Sequence, residues 1–168
     1  MVESMDESLE VLIESMEEAE CEEAVELIAL AMNGEEASWA WKTMKHYFAC
    51  RKEGIDSGRD YYVWRYEGGI HGLVGLHRQI WGPKENVWLS WFVVHPEHHG
   101  KGIGSALIDL ITEKARHAGY KKLLVETYDS PTFEKARSFY KAKGFSKVGN
   151  IEDYLPDGAA MVVFGKRI

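Results

Sequence analysis

The sequence has few cysteines, few prolines and no long apolar run. Only two of its 168 residues are cysteine and four are proline. Cys21 and Cys50 are 29 positions apart, which fits neither a CxxC metal pair nor a disulfide framework. Each is interpreted as a small buried hydrophobic residue. No apolar stretch approaches the roughly 18 residues of a membrane span, so we expect neither a disulfide-rich domain nor a membrane protein.

Basic residues are absent from the beginning of the chain. Residues 1–36 hold 13 of the 27 acidic residues and no lysine or arginine, while residues 37–168 hold 14 acids and all 20 bases, a balance of +6. This acidic start is neither a secretory signal nor an Arg-rich transit peptide, so we expect a cytoplasmic protein. It also disfavours a nucleic-acid partner. The acids form either a solvated helix face or a field that attracts cationic ligands, and the basic remainder suits an anionic cofactor.

Length and hydrophobic periodicity predict one α/β domain over residues 1–168. The hydrophobic fraction is 45% and the charged fraction 28%, which are ordinary globular values. The order of elements is β-α-α-β-β-β-α-β-α-β-β, which predicts a mixed, mostly antiparallel sheet flanked by helices. The predicted elements are a strand at 9–15, helices at 17–33 and 37–53, strands at 61–66, 72–76 and 87–94, a helix at 103–118, a strand at 123–125, a helix at 133–143, and strands at 145–150 and 160–166.

A glycine-rich loop between a strand and a helix is the strongest local signal. The apolar strand stops at Pro96, and the glycines at 100, 102 and 104 open the next helix. Backbone N–H groups at the positive end of a helix dipole form a cradle for phosphate. The spacing fits neither a G-x-G-x-x-G dinucleotide fingerprint nor a Walker loop. The remaining alternative is a tight turn with close strand–helix packing.

This loop resembles motif A of the GNAT N-acetyltransferase superfamily, [RQ]-x-x-G-x-[GA], with His99 where Arg or Gln is usual. The element order is also similar to that of the superfamily over roughly residues 9–168. The resemblance implies the GNAT fold and acetyl-CoA as cosubstrate, and the residues themselves indicate no metal in addition. It implies that the end of the preceding strand pairs with the pantetheine arm and that the backbone N–H of Val94 is an oxyanion donor. The implied cofactor-binding residues are Val93, Val94, His99, Gly100, Lys101, Gly102, Ile103, Gly104 and Ser105.

A second stretch, from Ala136 to Phe145, resembles the A-x-x-F-Y-x-x-x-G-F segment of the same superfamily. The resemblance implies that Tyr140 is the general acid that protonates the departing thiolate of CoA. Phe133 stands where many relatives have Asn, so one contact to CoA is expected to be missing. Segments 125–128 and 153–158 are similar to a branch of the superfamily that acts on small molecules.

The general base has several candidates. The strand at 87–94 contains no carboxylate, although many relatives carry one there. Glu126, on the next parallel strand, is the nearest candidate, and its alternative role is a structural carboxylate bonded to the backbone. His77, Tyr128 and ordered water are weaker candidates.

The histidines and tryptophans suggest additional sites less strongly. His95, His98 and His99 lie close together in sequence, but no cysteine or carboxylate cluster completes a metal site at recognisable spacing. Of the six tryptophans, Trp39 and Trp41 are expected to pack in the core. One of Trp88 and Trp91 is expected in the core and the other in the acceptor cleft.

The predicted function is an N-acetyltransferase that moves the acetyl group from acetyl-CoA to a primary amine of a small molecule, by direct attack in a ternary complex. The acidic first quarter favours a cationic acceptor. A non-catalytic CoA-binding or regulatory module on the same fold is one alternative. An acetyltransferase acting on protein N-termini or lysines is the other. A homodimer is expected only by analogy with the superfamily.

Overall fold

Seven strands form one mixed sheet within residues 13–168, the part of the chain that the computed structural model describes. They are β1 (Ile13–Ser15), β2 (Arg59–Tyr66), β3 (Gly69–His77), β4 (Asn86–Val94), β5 (Lys122–Tyr128), β6 (Ser146–Ile151) and β7 (Met161–Arg167). Their order is β1-β2-β3-β4-β5-β7-β6. Among these seven described strands, only the β4–β5 pair is parallel. This confirms the predicted mixed, mostly antiparallel sheet. Residues 9–12 of the first predicted strand lie outside the described residues.

Helices cover both faces of the sheet. They are α1 (Cys21–Ala31), α2 (Gly34–Lys52), α3 (Ile103–His117) and α4 (Glu134–Ala142). Helices α1 and α2 share one buried cluster with β2 and β3, whereas α3 and α4 share the other with β4, β5 and β7. The sheet therefore separates two cores, and the predicted order of elements is confirmed. None of these helices, within the described chain, is long and apolar enough to cross a membrane.

The boundary between the first two helices differs from the prediction. A helix was expected over 17–33, but α1 ends at Ala31. Asn33 instead begins the next helix, because its side chain accepts a hydrogen bond from the backbone N–H of Glu36 at 2.8 Å. An asparagine before a helix satisfies a donor that has no partner within the helix. The same dipeptide, Asn33-Gly34, therefore ends one helix and caps another.

A β-bulge in β4 changes the direction of its side chains. Leu73 pairs with Val93 but Gly75 pairs with Ser90, so β4 carries an extra residue opposite Val74. Trp91 has a φ of 48°, a left-handed conformation that is unusual for a bulky residue. Its indole packs beside the α2 core, and Nε1 donates to Thr43 Oγ1 at 2.9 Å. The bulge therefore places Trp88 and Trp91 on the same face, although their spacing of three suggests opposite faces.

The two parallel strands separate after a short paired region. β4 and β5 pair only over Asn86–Trp88 and Lys122–Leu124. Beyond that point β5 remains held by β7 as far as Tyr128, and β4 remains held by β3. The space between residues 89–94 of β4 and 125–128 of β5 is called the cleft below. It opens at the carboxyl ends of both strands, which is where α/β sheets commonly bind ligands.

Candidate active site

The glycine loop lies at the open end of the cleft and has the geometry of an anion cradle. Gly100 and Gly102 have φ values of 73° and 81°, and a Cβ added to either would meet no atom within 4 Å. The loop therefore needs glycine for its backbone conformation and borders open space. Ala106 donates to the Gly102 carbonyl at 3.0 Å as the first bond of α3. The N–H groups of residues 103–105 come before this bond and have no acceptor within the helix, so they can bind phosphate oxygens.

Of Val93 and Val94, the two residues predicted to bind the cofactor through their backbone, one faces the cleft. Successive residues of an antiparallel strand direct their N–H and C=O groups alternately toward and away from the partner. His95 N–H donates to the His71 carbonyl at 2.8 Å, in register with the Leu73–Val93 pair. Val93 therefore bonds toward β3, and Val94 directs its backbone groups into the cleft. This geometry favours Val94 over Val93 as the residue whose backbone meets a ligand, and Val94 is the candidate oxyanion donor.

His99 is turned toward the sheet. Its Nε2 lies 2.8 Å from the Val94 carbonyl oxygen. A carbonyl oxygen only accepts, so Nε2 carries the hydrogen and donates. The contact expected from the Arg or Gln of motif A would have to compete with this bond. The ring thus fixes the carbonyl of the residue whose N–H faces the cleft.

A lysine that the sequence did not single out adds positive charge beside the loop. Lys143 Nζ donates to Ser105 Oγ at 2.8 Å and lies 2.7 Å from Asp109 Oδ1. Ser105 belongs to the first turn of α3, so the ammonium lies near the proposed cradle. The two residues are 38 positions apart, which is why no local motif indicates this contact.

Tyr140 packs in the core on the face of the sheet that α3 and α4 cover. Its side chain is buried among Phe92, Phe139 and Phe145, with ring centroids 6.4, 5.6 and 5.7 Å away. Burial raises the pKa of its hydroxyl, so the group keeps its proton at neutral pH. The hydroxyl can therefore only act as a donor toward a developing thiolate.

Glu126 lies on the opposite face of the same cleft. Val125 belongs to the core of α3, so its neighbours Glu126 and Tyr128 point to the side of α2. Partial loss of hydration raises the pKa of the Glu126 carboxyl, although its side chain remains exposed in the open cleft. The pKa of Glu36, in the first turn of α2, is raised by burial and then by the charges of Glu35 and Glu126.

Aromatic side chains lie beside Glu126 on the same face of the sheet. The rings of Tyr128 and Tyr154 stack with centroids 6.2 Å apart, and Phe133 contacts Tyr128 edge-on at 5.1 Å. Burial, followed by the charges of Glu126 and Glu36, raises the pKa of Tyr128 to about 12, so it stays neutral. Tyr128 is therefore a poor candidate for the base at neutral pH. Arg137 holds the strand end by donating to the backbone carbonyls of Tyr128 and Ser130.

His77 does not reach the cleft. It pairs with Trp88 at the end where β4 and β5 are still joined, so β4 stands between it and the open space. Burial and the charge of Arg59 lower its pKa to about 4. The structure therefore separates this candidate base from the other candidate residues. Among residues 13–168 no group of three His, Cys, Asp or Glu side chains is placed to hold a metal ion.

Several packing predictions have mixed outcomes. Trp41 packs partly against the α2 core and lies under Lys45 Nζ, but Trp39 is 45% exposed. Cys21 is buried as expected, whereas Cys50 is only partly buried. Trp39 and Cys50 lie where the helix surface faces solvent, which the apolar character of the residues alone does not reveal.

Comparison with known proteins identifies the fold. A model of the Acetyltransferase (GNAT) family matches residues 13–145. The chain is 35% identical over 60 residues to the Bacillus subtilis (strain 168) protein called uncharacterized N-acetyltransferase YsnE. That match spans 36% of this chain and only 40% of the relative.

Solved structures extend the likeness to nearly the whole chain. A protein assigned to the GNAT acetyltransferase family from Desulfovibrio desulfuricans has a TM-score of 0.83 and 16% identity, covering 92% of this chain and 97% of that one. An aminoglycoside 6′-N-acetyltransferase complexed with coenzyme A has a TM-score of 0.75 and 15% identity, with coverage of 92% and 96%. Identities this low establish the fold alone.

Proposed function

The chain belongs to the GNAT acetyltransferase family, and we propose that it transfers the acetyl group of acetyl-CoA to a primary amine of a small molecule. The reaction would be direct attack within a ternary complex. One observation carries this proposal: β4 and β5 separate into a cleft, and Tyr140 packs on one face of the sheet while Glu126 lies on the other. If both substrates are bound at once in this geometry, the amine can attack the thioester directly, with no covalent enzyme intermediate.

The cosubstrate fits the wall formed by β4 and α3. The N–H groups at the start of α3 and the space beside Gly100 and Gly102 suit the pyrophosphate. The cleft-facing N–H of Val94 suits the acetyl carbonyl. Phe92 and Phe139, stacked at 5.6 Å, supply an apolar surface beside Gly104.

Each residue then has one task in the transfer. Glu126, whose pKa is raised, takes a proton from the amine, directly or through water. The Val94 N–H stabilises the oxyanion as the amine nitrogen bonds to the carbonyl carbon, and loss of such a donor typically costs about 3 kcal/mol. As the C–S bond breaks, Tyr140 donates to the sulfur. Alignment of the two substrates is the largest contribution, up to about 7–11 kcal/mol in well-oriented systems.

The face of the sheet that carries Glu126 favours an amine with a second positive charge. Its residues Glu36, Glu126, Tyr128 and Tyr154 are called the acceptor wall below. Among residues 13–168 no lysine or arginine nitrogen lies within 4.0 Å of the Glu36 or Glu126 carboxylate. The neighbouring Tyr128 and Tyr154 rings can contact a cation through their faces. A polyamine, or an amino sugar with several amino groups, combines the required primary amine with additional ammonium groups. The aminoglycoside acetyltransferase with a similar fold acts on the second of these classes.

Ligand-dependent unfolding tests the cosubstrate first. A binder at 100 times its Kd stabilises the folded state by about 2.7 kcal/mol, which raises Tm by several degrees. We expect that shift with acetyl-CoA and with CoA, and none with NAD. Absence of a shift with either CoA species would remove the proposal.

A panel of amines then tests the reaction by release of free thiol. We expect turnover with di- and polycationic amines, and less with a neutral primary amine. Binding of CoA without thiol release from any acceptor would instead support a non-catalytic module. Turnover confined to peptides with a free N-terminus or lysine would support a protein acetyltransferase.

A further inference from the structure

Two imidazole hydrogen bonds hold the glycine loop to the sheet. His99 Nε2 donates to the Val94 carbonyl at 2.8 Å. His98 Nε2 and His71 Nδ1, on β3, lie 3.0 Å apart. The backbone bond from His95 to the His71 carbonyl, 2.8 Å long, joins the same strand to the beginning of the loop. The loop is therefore tied to both β3 and β4 immediately before its first glycine.

The His98–His71 contact is enclosed. The His98 side chain is only 8% exposed and lies edge-on to Trp64 and Tyr66, with ring centroids 5.0 and 4.9 Å away. Burial, followed by the charges of three neighbours, lowers the pKa of His98, and Glu97 opposes this. The titratable and charged groups around the pair are His95, Glu97 and Lys101 from the loop, Tyr66 from β2 and Glu23 from α1, whose carboxylate accepts the Ile70 N–H at 2.7 Å.

The two bonds respond differently to protonation. His99 donates through Nε2 whether its ring is neutral or cationic, because a carbonyl only accepts. In the His98–His71 contact one nitrogen donates and the other accepts, so at least one ring must be neutral. Two imidazolium rings would direct two N–H groups at each other and lose the bond.

We propose that His98 and His99, together with His71, are positioning residues that hold the glycine loop in the conformation that binds the pyrophosphate of acetyl-CoA. This inference rests on the proposed function. His99 acts through the Val94 carbonyl, so the residue that replaces Arg or Gln of motif A orders the cradle without contacting phosphate. His98 acts through His71 and joins the loop to the sheet at a second point.

Paired substitutions at His98 test the first bond by calorimetric titration of CoA. His98→Leu removes the bond, and we expect Kd to rise about three- to tenfold at pH 7.5. His98→Gln can donate to neutral His71 or accept from protonated His71, so it should bind CoA as the wild type does.

Paired substitutions at His99 test the second bond. His99→Gln keeps an N–H donor and should retain the wild-type KM for acetyl-CoA. His99→Leu should raise that KM about three- to tenfold with kcat unchanged at saturation, since only the cradle is affected. A much lower KM in His99→Gln than in the wild type would mean that this position contacts phosphate, which contradicts the proposal.

Amide hydrogen exchange of the ligand-free protein separates this inference from the proposed function. The amides of residues 99–104 should exchange faster in the two leucine variants than in the two glutamine variants. Failure of the wild type to bind CoA would remove the proposed function, yet the exchange data would still report whether the imidazoles order the loop. Wild-type exchange and wild-type CoA affinity in folded leucine variants would overturn the inference.

Discussion

The two walls of the cleft offer different chemistry to the proposed ligands. The cofactor wall consists of consecutive residues, from Val94 to Ser105, and offers backbone N–H groups, glycines and the positive end of α3. The acceptor wall consists of side chains from separate segments and offers carboxylates and tyrosine rings, namely Glu36, Glu126, Tyr128 and Tyr154. The first wall suits an anion bound through backbone groups, whereas the chemistry of the second depends on the identity of individual side chains.

The two walls also differ in their contribution to the stability of the folded state. At the cofactor wall the side chains of His98, His99 and Lys143 have hydrogen-bond partners within the protein. The acceptor wall keeps carboxylates whose pKa values are raised, which means that their ionised forms are less favourable in the folded chain than in water. Such unfavourable charge is expected where a cationic ligand supplies the missing partner.

Blocking the cofactor wall should have the largest effect. In Gly102→Val, we expect CoA affinity to fall at least about a thousandfold, because the new side chain occupies the open space and strains the φ of 81°. Gly119→Val, with a φ of 92° at the other end of the same helix, is the matched control for backbone strain. Calorimetric titration should show weakened binding only in the first variant. Equal CoA affinity in both folded variants would move the cofactor away from this loop.

Removing one hydroxyl should separate chemistry from binding. Tyr140→Phe should lower kcat about a hundredfold and leave the KM for acetyl-CoA unchanged, since the hydroxyl acts on the leaving sulfur. Tyr61→Phe, in the core on the other face, removes a hydroxyl from a similarly buried ring and should leave kcat unchanged. Steady-state kinetics with thiol detection measure both constants. An unchanged kcat in Tyr140→Phe would exclude this residue as the acid.

The contrast between the walls explains what the sequence could predict. The glycine loop was predictable because its chemistry depends on local spacing and on a backbone conformation that few residues adopt. The distinction between Val93 and Val94 was not, because it depends on which carbonyl of β3 the strand meets. The bulge at Trp91 was also missed, since no residue type is reserved for it.

The acceptor wall was only partly predictable for the same physical reason. Glu126 was inferred from its place on the strand after the cleft, but Glu36 and Tyr154 are brought to it by the tertiary fold. The stretch that contains Tyr154 resembles the small-molecule branch of the superfamily, but this resemblance does not predict which residues its side chains contact. Side chains converging from distant segments carry no spacing that a single sequence can reveal.

Neutralising one acceptor carboxylate should change specificity moderately. Glu36→Gln should raise the KM for a dicationic amine about two- to fivefold, with kcat unchanged and with little effect on a monoamine. Glu53→Gln, beyond the other end of the 19-residue helix α2, changes net charge equally and should have no such effect. Kinetics at two salt concentrations distinguish a local contact from general field steering. Equal KM changes in both variants would support steering alone.

The smallest predicted effect is on stability, and it is a gain, whereas the other substitutions are expected to impair binding or activity. Burial raises the folded-state pKa of Glu126, so its ionised form opposes folding at pH values above that pKa. Glu126→Gln should therefore raise Tm by about 1–2 °C at pH 7 while impairing turnover. The gain should vanish as the pH falls below 4.5, the ordinary value, because the wild-type carboxyl is then protonated in both states. Thermal unfolding from pH 4 to 8 measures the difference. A lower Tm for the variant at pH 7 would show that Glu126 is a structural carboxylate, and the acceptor wall would then resemble the cofactor wall in supporting the fold.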